Sequence, residues 1–232
     1  MKHPGVATIL ATGGNAMVEA AYSCGKPALG VGAGNVPAYV EKSANIKQAA
    51  HDIVMSKAFD NGMICASEQA VIADKEIYAD LVNEFKSYGV YFVNKKEKAL
   101  REEFIFGVKA GSKSCGGAKL NAAVVGKPAA WIAEQAGFSV PEKTNILVAE
   151  CSEVGPNEPL TREKLSPVLA MLKADSTEEG LKLAEQMVEF DGLGHSAAIH
   201  TADEALAKTF GERVKAIRVI WNSPSTFGGI GD

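Results

Sequence analysis

Apolar positions along this chain follow two alternating rhythms, short continuous runs and a 3.6-residue period. Residues 6–10 form an apolar run that ends in Ala11-Thr12-Gly13-Gly14, and a helix-like stretch over 16–23 is closed by Gly25-Lys26-Pro27. A second buried strand is expected at 28–31, closed by Gly32-Ala33-Gly34-Asn35, and a third at 36–40. Ser43 is the expected N-cap of a helix. In it Ile46, Ala49, Ala50, Ile53, Val54 and Lys57-Ala58 recur at the i, i+3, i+4, i+7 spacing of one apolar face. Strands at 70–73 and 90–93 flank a helix over 77–87, and the charged stretch 94–105 is expected to be helical. Further strands are expected at 122–125, 146–149, 168–172, 197–200 and 218–221, with helices at 129–136 and 178–190. The last of these places Leu181, Ala184, Met187 and Val188 on one face. Residues 107–117, rich in Gly, Ser and Lys, are the expected mobile loop, and the chain ends from 222 on without helix or strand. Such alternation implies α/β layers around a mostly parallel sheet. The Asn61-Gly62 turn divides it into lobes 1–61 and 62–232.

Composition narrows the class. A chain of 232 residues holds one large domain or two small ones, and its 47% hydrophobic content supports a sizeable core. A net charge of −4 without a long basic run argues against a nucleic-acid partner. The four cysteines, Cys24, Cys65, Cys115 and Cys151, share no CxxC spacing, so neither a zinc site nor a disulfide framework is expected, and free thiols fit a reducing cytosol. No apolar run approaches the roughly 18 residues of a membrane span. Met1-Lys2-His3-Pro4 lacks the apolar core of a signal peptide. A cytoplasmic protein with no membrane association is therefore expected.

Candidate chemistry gathers at bends. Cys65 follows an Asn-Gly turn, between an amphipathic helix and an apolar strand, where a thiol can be presented to a ligand. The alternative is a small buried hydrophobe. Thr12-Gly13-Gly14 ends a strand and opens a helix, so its backbone can approach a phosphate or nicotinamide, or it is simply a tight turn. Gly30, Gly32 and Gly34 allow close approach of a ligand or, equally, of another backbone. Glu163 precedes an apolar strand, where a carboxylate can accept from a ribose hydroxyl or stand solvated. His195, between a Gly-rich turn and a strand, is placed like an acid/base residue.

Five blocks in order carry a resemblance from end to end. They are Ile9-Leu10-Ala11-Thr12-Gly13-Gly14, the run from Gly25 to Asn35, the run from Phe59 through Cys65 to Gln69, Glu163-Lys164-Leu165-Ser166-Pro167, and Phe227-Gly228-Gly229-Ile230-Gly231. The chain resembles the aldehyde dehydrogenase superfamily, in particular its CoA-acylating branch as found in bifunctional aldehyde–alcohol dehydrogenases. The resemblance implies a three-layer α/β/α fold, with 1–61 the tail of a Rossmann-type NAD-binding lobe and 62–232 a catalytic lobe. It implies that Cys65 is the nucleophile, forming a thiohemiacetal with a small aldehyde and then, after hydride transfer to NAD, a thioester that coenzyme A resolves to acyl-CoA. Thr12, Gly13, Gly14 and Gly32 match the backbone beside the cofactor, and Glu163 the residue that accepts from the nicotinamide ribose. His195 matches a position that assists in the acylating enzymes, by deprotonating the incoming thiol. A homo-oligomer is implied for the full-length enzyme.

Two departures from the family pattern refine this. Hydrolytic members carry a water-activating Glu where Gly30 stands. A glycine supplies no general base, worth typically 10²–10⁴-fold, so the thioester is expected to await a thiol. Only about 60 residues precede Cys65, too few for a complete two-halved nucleotide fold. The chain is thus expected to be a piece of a larger enzyme, without the family's oxyanion Asn and with weak NAD binding by itself. The alternatives are a hydrolytic enzyme using another base and a non-catalytic assembly module. A thiol prepared for attack would have a pKa below the free value of about 8.5.

Overall fold

The structure, a computed structural model, describes residues 1–108 and 119–231. Most of the expected 107–117 loop, including Cys115, lies outside the described residues. The chain opens with a small parallel unit, β1 (Ile9–Thr12), α1 (Asn15–Tyr22) and β2 (Ala28–Val31), in which Ile9 pairs with Ala28 and Thr12 with Val31. Ile9, Ala11 and Ala21 form its core. A second, larger sheet follows. Its elements are β3 (Val36–Val40), α2 (Ile46–Ala58), β4 (Glu68–Asp74), α3 (Tyr78–Ser87), β5 (Val90–Phe92), α4 (Lys95–Phe106), α5 (Ala129–Gln135), β6 (Ile146–Glu150), β7 (Val168–Ala174), α6 (Thr177–Asp191), β8 (Gly194–His200), α7 (Glu204–Arg213), β9 (Ala216–Trp221) and α8 (Phe227–Ile230). The strand order is β5-β6-β7-β4-β3-β8-β9, and each neighbouring pair is parallel.

Helices cover both faces, which is why the central strands read as continuous apolar runs. The two-residue pleat sends Ala38 and Val40 of β3 and Val71 and Ala73 of β4 to one side, against Ile53 of α2 and Leu81 and Phe85 of α3. Tyr39, Ala70, Ile72 and Leu172 face the other, against Leu181, Met187 and Val188 of α6 and Phe210 of α7. Ile105 of α4 and Ile132 of α5 close the β6 end over Leu147 and Val168. Each fully buried Val, Leu, Ile, Phe or Met side chain among these contributes roughly 1.5–3 kcal/mol by leaving water.

The structure departs from the sequence expectations in four places. Residues 122–125 are not a strand, because Asn121 captures the Ala123 N–H with its own side chain (3.0 Å) and winds Ala122–Val124 into a 3-10 turn. The C-terminal stretch contains α8. The α2 cap is Asn45, whose side chain accepts from Gln48 N at 3.3 Å, while Ser43 is drawn to Glu41 and Thr201. Finally, the sheets do not divide the chain at Asn61-Gly62. β3 lies inside the large sheet between β4 and β8, with α2 packed on it, so the change of sheet falls between Val31 and Val36. Parallel pairing of β3 with both β4 and β8 buries it on all sides, which a place beside β2 would not do.

This topology positions the site. The N-terminal ends of β3, β4, β7 and β8 lie along one edge of the large sheet, and there the segments bearing Asn35, Cys65, Glu163 and His195 arrive together. The C-terminal ends of β1 and β2, with Thr12 and Val31, meet that edge.

Candidate active site

The turn before Cys65 is held in an uncommon backbone. Asp60 (φ 47°), Asn61 (φ 50°) and Gly62 (φ 66°) are consecutively left-handed, a conformation that Asn, Asp and Gly tolerate best. The Asn61 side chain donates to Gly126 O (3.1 Å), and Gly126 N donates to Leu165 O (3.0 Å), itself at φ 46°. Ser67 N donates to Ile64 O (3.0 Å), closing the bend that presents Cys65. Gly62 is locked in place, since a Cβ there would stand 2.5 Å from Ser166 O.

Cys65 is half-buried and free, as are Cys24 and Cys151. Its thiol does not have the depressed pKa expected of a prepared nucleophile. Burial pushes it up, the Glu163 charge adds to this, and Arg218 and the N–H groups of Cys65 and Ala66 oppose it. The resting group is therefore held as a thiol.

Cys65, His195 and Thr12 line one cavity of about 330 Å³, with Val31, Arg218 and Gly229. His195 is 2% exposed, and burial, then Arg218, lowers its pKa. Its Nδ1 lies 3.1 Å from Ser196 Oγ, which accepts from Arg218 Nε at 3.1 Å. Arg218 also donates from Nη1 to Gly228 O (2.9 Å), fixing the wall that α8 contributes. Gly34 is the joint between these groups. A Cβ on it would stand 2.4 Å from Cys65 O and 3.0 Å from the His195 ring, and its N–H donates to Glu163 Oε1 at 2.8 Å.

Gly14 and Glu163 line a separate cavity of about 610 Å³, with Asn15, Phe106, Arg162 and Asp191. No side chain caps α1, and a Cβ on Gly14 would meet open space, so the first N–H groups of that helix are accessible. Burial raises the Glu163 pKa against the Gly34 N–H, with Asp191 adding to the rise and Lys57 and Lys164 opposing it. Gly13 and Gly32 line neither cavity. Gly13 N donates to Val31 O (3.1 Å), and a Cβ on Gly32 would stand 2.8 Å from Asn15 Oδ1, so both glycines serve the approach of β1, α1 and β2. Gly30 faces α1, where a Cβ would stand 2.6 Å from Val18 Cγ1 and 3.1 Å from Tyr22 Cε2. A glutamate side chain there has no room as the helix stands.

Sequence reasoning missed the charged groups beneath this edge. Lys57, Glu68 and Lys164 are all fully buried. Burial lowers Lys57 to about 7, opposed by Glu68 and Glu163, and raises Glu68 to about 7. Lys164 donates to the carbonyls of Gln69, Leu160 and Arg162 at 2.6–3.0 Å, pinning the Glu163 segment. Glu68 accepts from Ser225 N (2.9 Å), anchoring the turn that leads into α8 with Gly228 and Gly229. The signal for Lys57 was its place on the apolar face of α2, and that for Arg218 a charge opening a strand. Among the described residues no group of three His, Cys, Asp or Glu could hold a metal, and no helix is long and apolar enough to cross a membrane.

Comparison with known proteins bears on the fold and the family. The aldehyde dehydrogenase family profile matches residues 1–99. Over all 232 residues the chain is 82% identical to an aldehyde-alcohol dehydrogenase of Streptococcus pneumoniae, of which it covers 26%. It is 46% identical to a bifunctional aldehyde-alcohol dehydrogenase of Escherichia coli K12, covering 25% of it. The chain thus spans about a quarter of the length of these curated relatives. A crystal structure of an acetylating aldehyde dehydrogenase from Geobacillus thermoglucosidasius superposes with a TM-score of 0.91 at 46% identity, covering 99% of this chain and 49% of that one. A Rhodopseudomonas palustris propionaldehyde dehydrogenase with bound CoA and an acylated cysteine does so with a TM-score of 0.86 at 28% identity, over 100% of this chain and 51% of that one. Residues 1–99 match the aldehyde dehydrogenase family, and in fold and over its whole length the chain is similar to acetylating aldehyde dehydrogenases.

Proposed function

We propose that this chain carries the acyl-accepting site of a CoA-acylating aldehyde dehydrogenase, which converts a small aldehyde, NAD and coenzyme A to acyl-CoA and NADH. The observation that carries this reading is the cavity in which Cys65, His195 and Thr12 meet, lined by no carboxylate among the described residues. Cys65 Sγ loses its proton to solvent and adds to the aldehyde carbon, and the carbonyl electron pair moves to oxygen. Loss of hydride from that carbon leaves a thioester on Cys65. The Cys65 and Ala66 N–H groups, which oppose the rise of the thiol's pKa, are the candidate donors to the charge that develops on that oxygen, and a preformed donor of this kind is worth about 10²–10³ in rate.

The residues present fit the nicotinamide end of a dinucleotide. The open first turn of α1 at Gly14 offers N–H donors, Glu163 offers an acceptor for a ribose hydroxyl, and Thr12, at the end of β1, lines the Cys65 cavity. Bound there, the cofactor supplies the hydride acceptor. Deacylation goes to a thiol rather than water for two reasons. Among the described residues the Cys65 cavity presents no carboxylate base, and the position where hydrolytic members hold one is Gly30, packed against Val18 and Tyr22. The acylated cysteine and bound CoA of the R. palustris relative support the same assignment. His195 stands beside the thioester as the assisting group. Homo-oligomerisation and a cytoplasmic location accompany the proposed activity.

Product analysis tests the proposal. In the full-length enzyme, with aldehyde, NAD and CoA, the expected product is acyl-CoA, and omission of CoA should stall turnover after one acylation. Free acid formed at an undiminished rate without CoA would instead indicate hydrolysis and a base not identified at Cys65.

A further inference from the structure

We propose that Arg218 and Ser196 are positioning residues that hold His195 as its Nε2–H tautomer, so that this ring presents a hydrogen-bond donor to the reacting atoms and not a base. The inference rests on the acyl-transfer reading above and replaces the thiol deprotonation expected of His195 from the sequence.

The argument is one of donors and acceptors. An arginine Nε–H only donates, so in the 3.1 Å contact from Arg218 the Ser196 oxygen is the acceptor. Ser196 is 2% exposed, and its hydroxyl hydrogen requires a partner of its own. The partner at hydrogen-bond distance is His195 Nδ1, 3.1 Å away. For Ser196 to donate there, Nδ1 must be unprotonated, and the proton of the neutral ring then sits on Nε2. The opposite tautomer would place two donors on one serine oxygen and leave the buried hydroxyl hydrogen without an acceptor, a penalty of the order that separates tautomers decisively. Two further features keep the ring neutral and in place. Burial and the Arg218 charge both disfavour imidazolium. Gly34 lies against the ring, with space for no side chain. With Nδ1 engaged, Nε2 is the ring nitrogen available to the cavity that His195 shares with Cys65.

The consequence is a defined division of labour. Nε2–H donates to the acyl oxygen as negative charge gathers on it. The attacking thiol arrives as thiolate, its proton released to solvent. Its sulfur bonds to the acyl carbon, and the C=O electron pair moves to oxygen. Collapse of that intermediate restores the carbonyl and expels Cys65 as thiolate, which then takes a proton from solvent. No proton passes through His195. Acyl transfer should therefore rise with pH up to the attacking thiol's own ionisation, near the free value of about 8.5, and not level off near 6.5.

The decisive measurement is the tautomeric state, read by 15N NMR of histidine-labelled protein, with the His195 signals assigned by their loss in His195→Gln. The expected result is protonated Nε2 and unprotonated Nδ1 in the wild type. Ser196→Ala should relax that preference and slow transfer from acyl-Cys65 to CoA about 5- to 10-fold, with the transferring species and the folded state unchanged by circular dichroism. Arg218→Lys should retain part of the effect and Arg218→Met none. Protonated Nδ1 in the wild type would overturn the proposal, as would a tautomer unmoved by Ser196→Ala. Because the spectrum is recorded without substrates, it separates failure of this inference from failure of the acyl-transfer reading, which is judged on products alone.

Discussion

Gly34→Ala is the single-atom change that most sharply probes how this site is assembled. An added Cβ would stand 2.4 Å from the Cys65 carbonyl oxygen, about 0.6 Å inside the closest approach real side chains show, and 3.0 Å from two atoms of the His195 ring. The first contact is with backbone, so no rotamer change relieves it. Either the Cys65 bend or the start of β3 must move by roughly that distance. Overpacking of this kind costs about 1–3 kcal/mol, and a 1 Å misplacement of reacting groups costs about 10²-fold in rate. The N–H that donates to Glu163 at 2.8 Å is retained, so the loss is attributable to displacement and not to a missing hydrogen bond. Urea unfolding should report the stability change, and single-turnover acylation of Cys65 should fall about 10- to 100-fold. Wild-type acylation together with unchanged stability would refute the claim that Gly34 spaces Cys65 from His195.

Two further perturbations test the framework. Burial holds His200 down at about 4, so between pH 6.5 and pH 4 the unfolded chain takes up a proton that the folded chain refuses. Stability should be lost as pH falls through that window, by up to about 3 kcal/mol, and His200→Gln should abolish this share. Urea titrations of the two proteins from pH 7 to pH 4 that run parallel would contradict it. In α6, a Cβ on Gly180 would stand 2.4 Å from Tyr39 Cε2, and Tyr39 donates to Asp74 at 2.8 Å. Gly180→Ala should destabilise by about 1–2 kcal/mol net, because displacing Tyr39 and its hydrogen bond outweighs the roughly 1 kcal/mol gained in helix propensity. A higher melting temperature would show that Tyr39 moves freely.

How much of this was legible in the sequence depended on how local the cause is. Strands at 36–40, 70–73 and 168–172 announced themselves because helices cover both faces of the sheet and leave no polar side to interrupt the run. The α2 and α6 faces followed from periodicity. The run at 122–125 misled because its apolar content resembled a strand, whereas the Asn121 side chain decided the backbone. The lobe boundary was drawn at the Asn61-Gly62 turn, a strong local signal. β3 nevertheless pairs with β8, more than 150 residues away, and no local pattern carries that. Cys65 and His195 stood out by their place at bends, and the structure brings them into one cavity with Thr12. Arg218 and Ser196 did not stand out, because their importance lies in contacts across β8 and β9. Gly30 was identified as a missing base. That its space is filled by Val18 and Tyr22 became apparent only in three dimensions.

The central claim, that Cys65 exchanges acyl groups with a thiol, is most directly tested without cofactor or aldehyde. Incubation of the protein with an acyl-CoA, followed by peptide mass spectrometry, should show one acyl addition confined to the Cys65 peptide. Free CoA should be released in step, and Cys65→Ala should abolish both. Acylation spread evenly over Cys24, Cys65, Cys115 and Cys151, or no addition at Cys65 at all, would contradict the account.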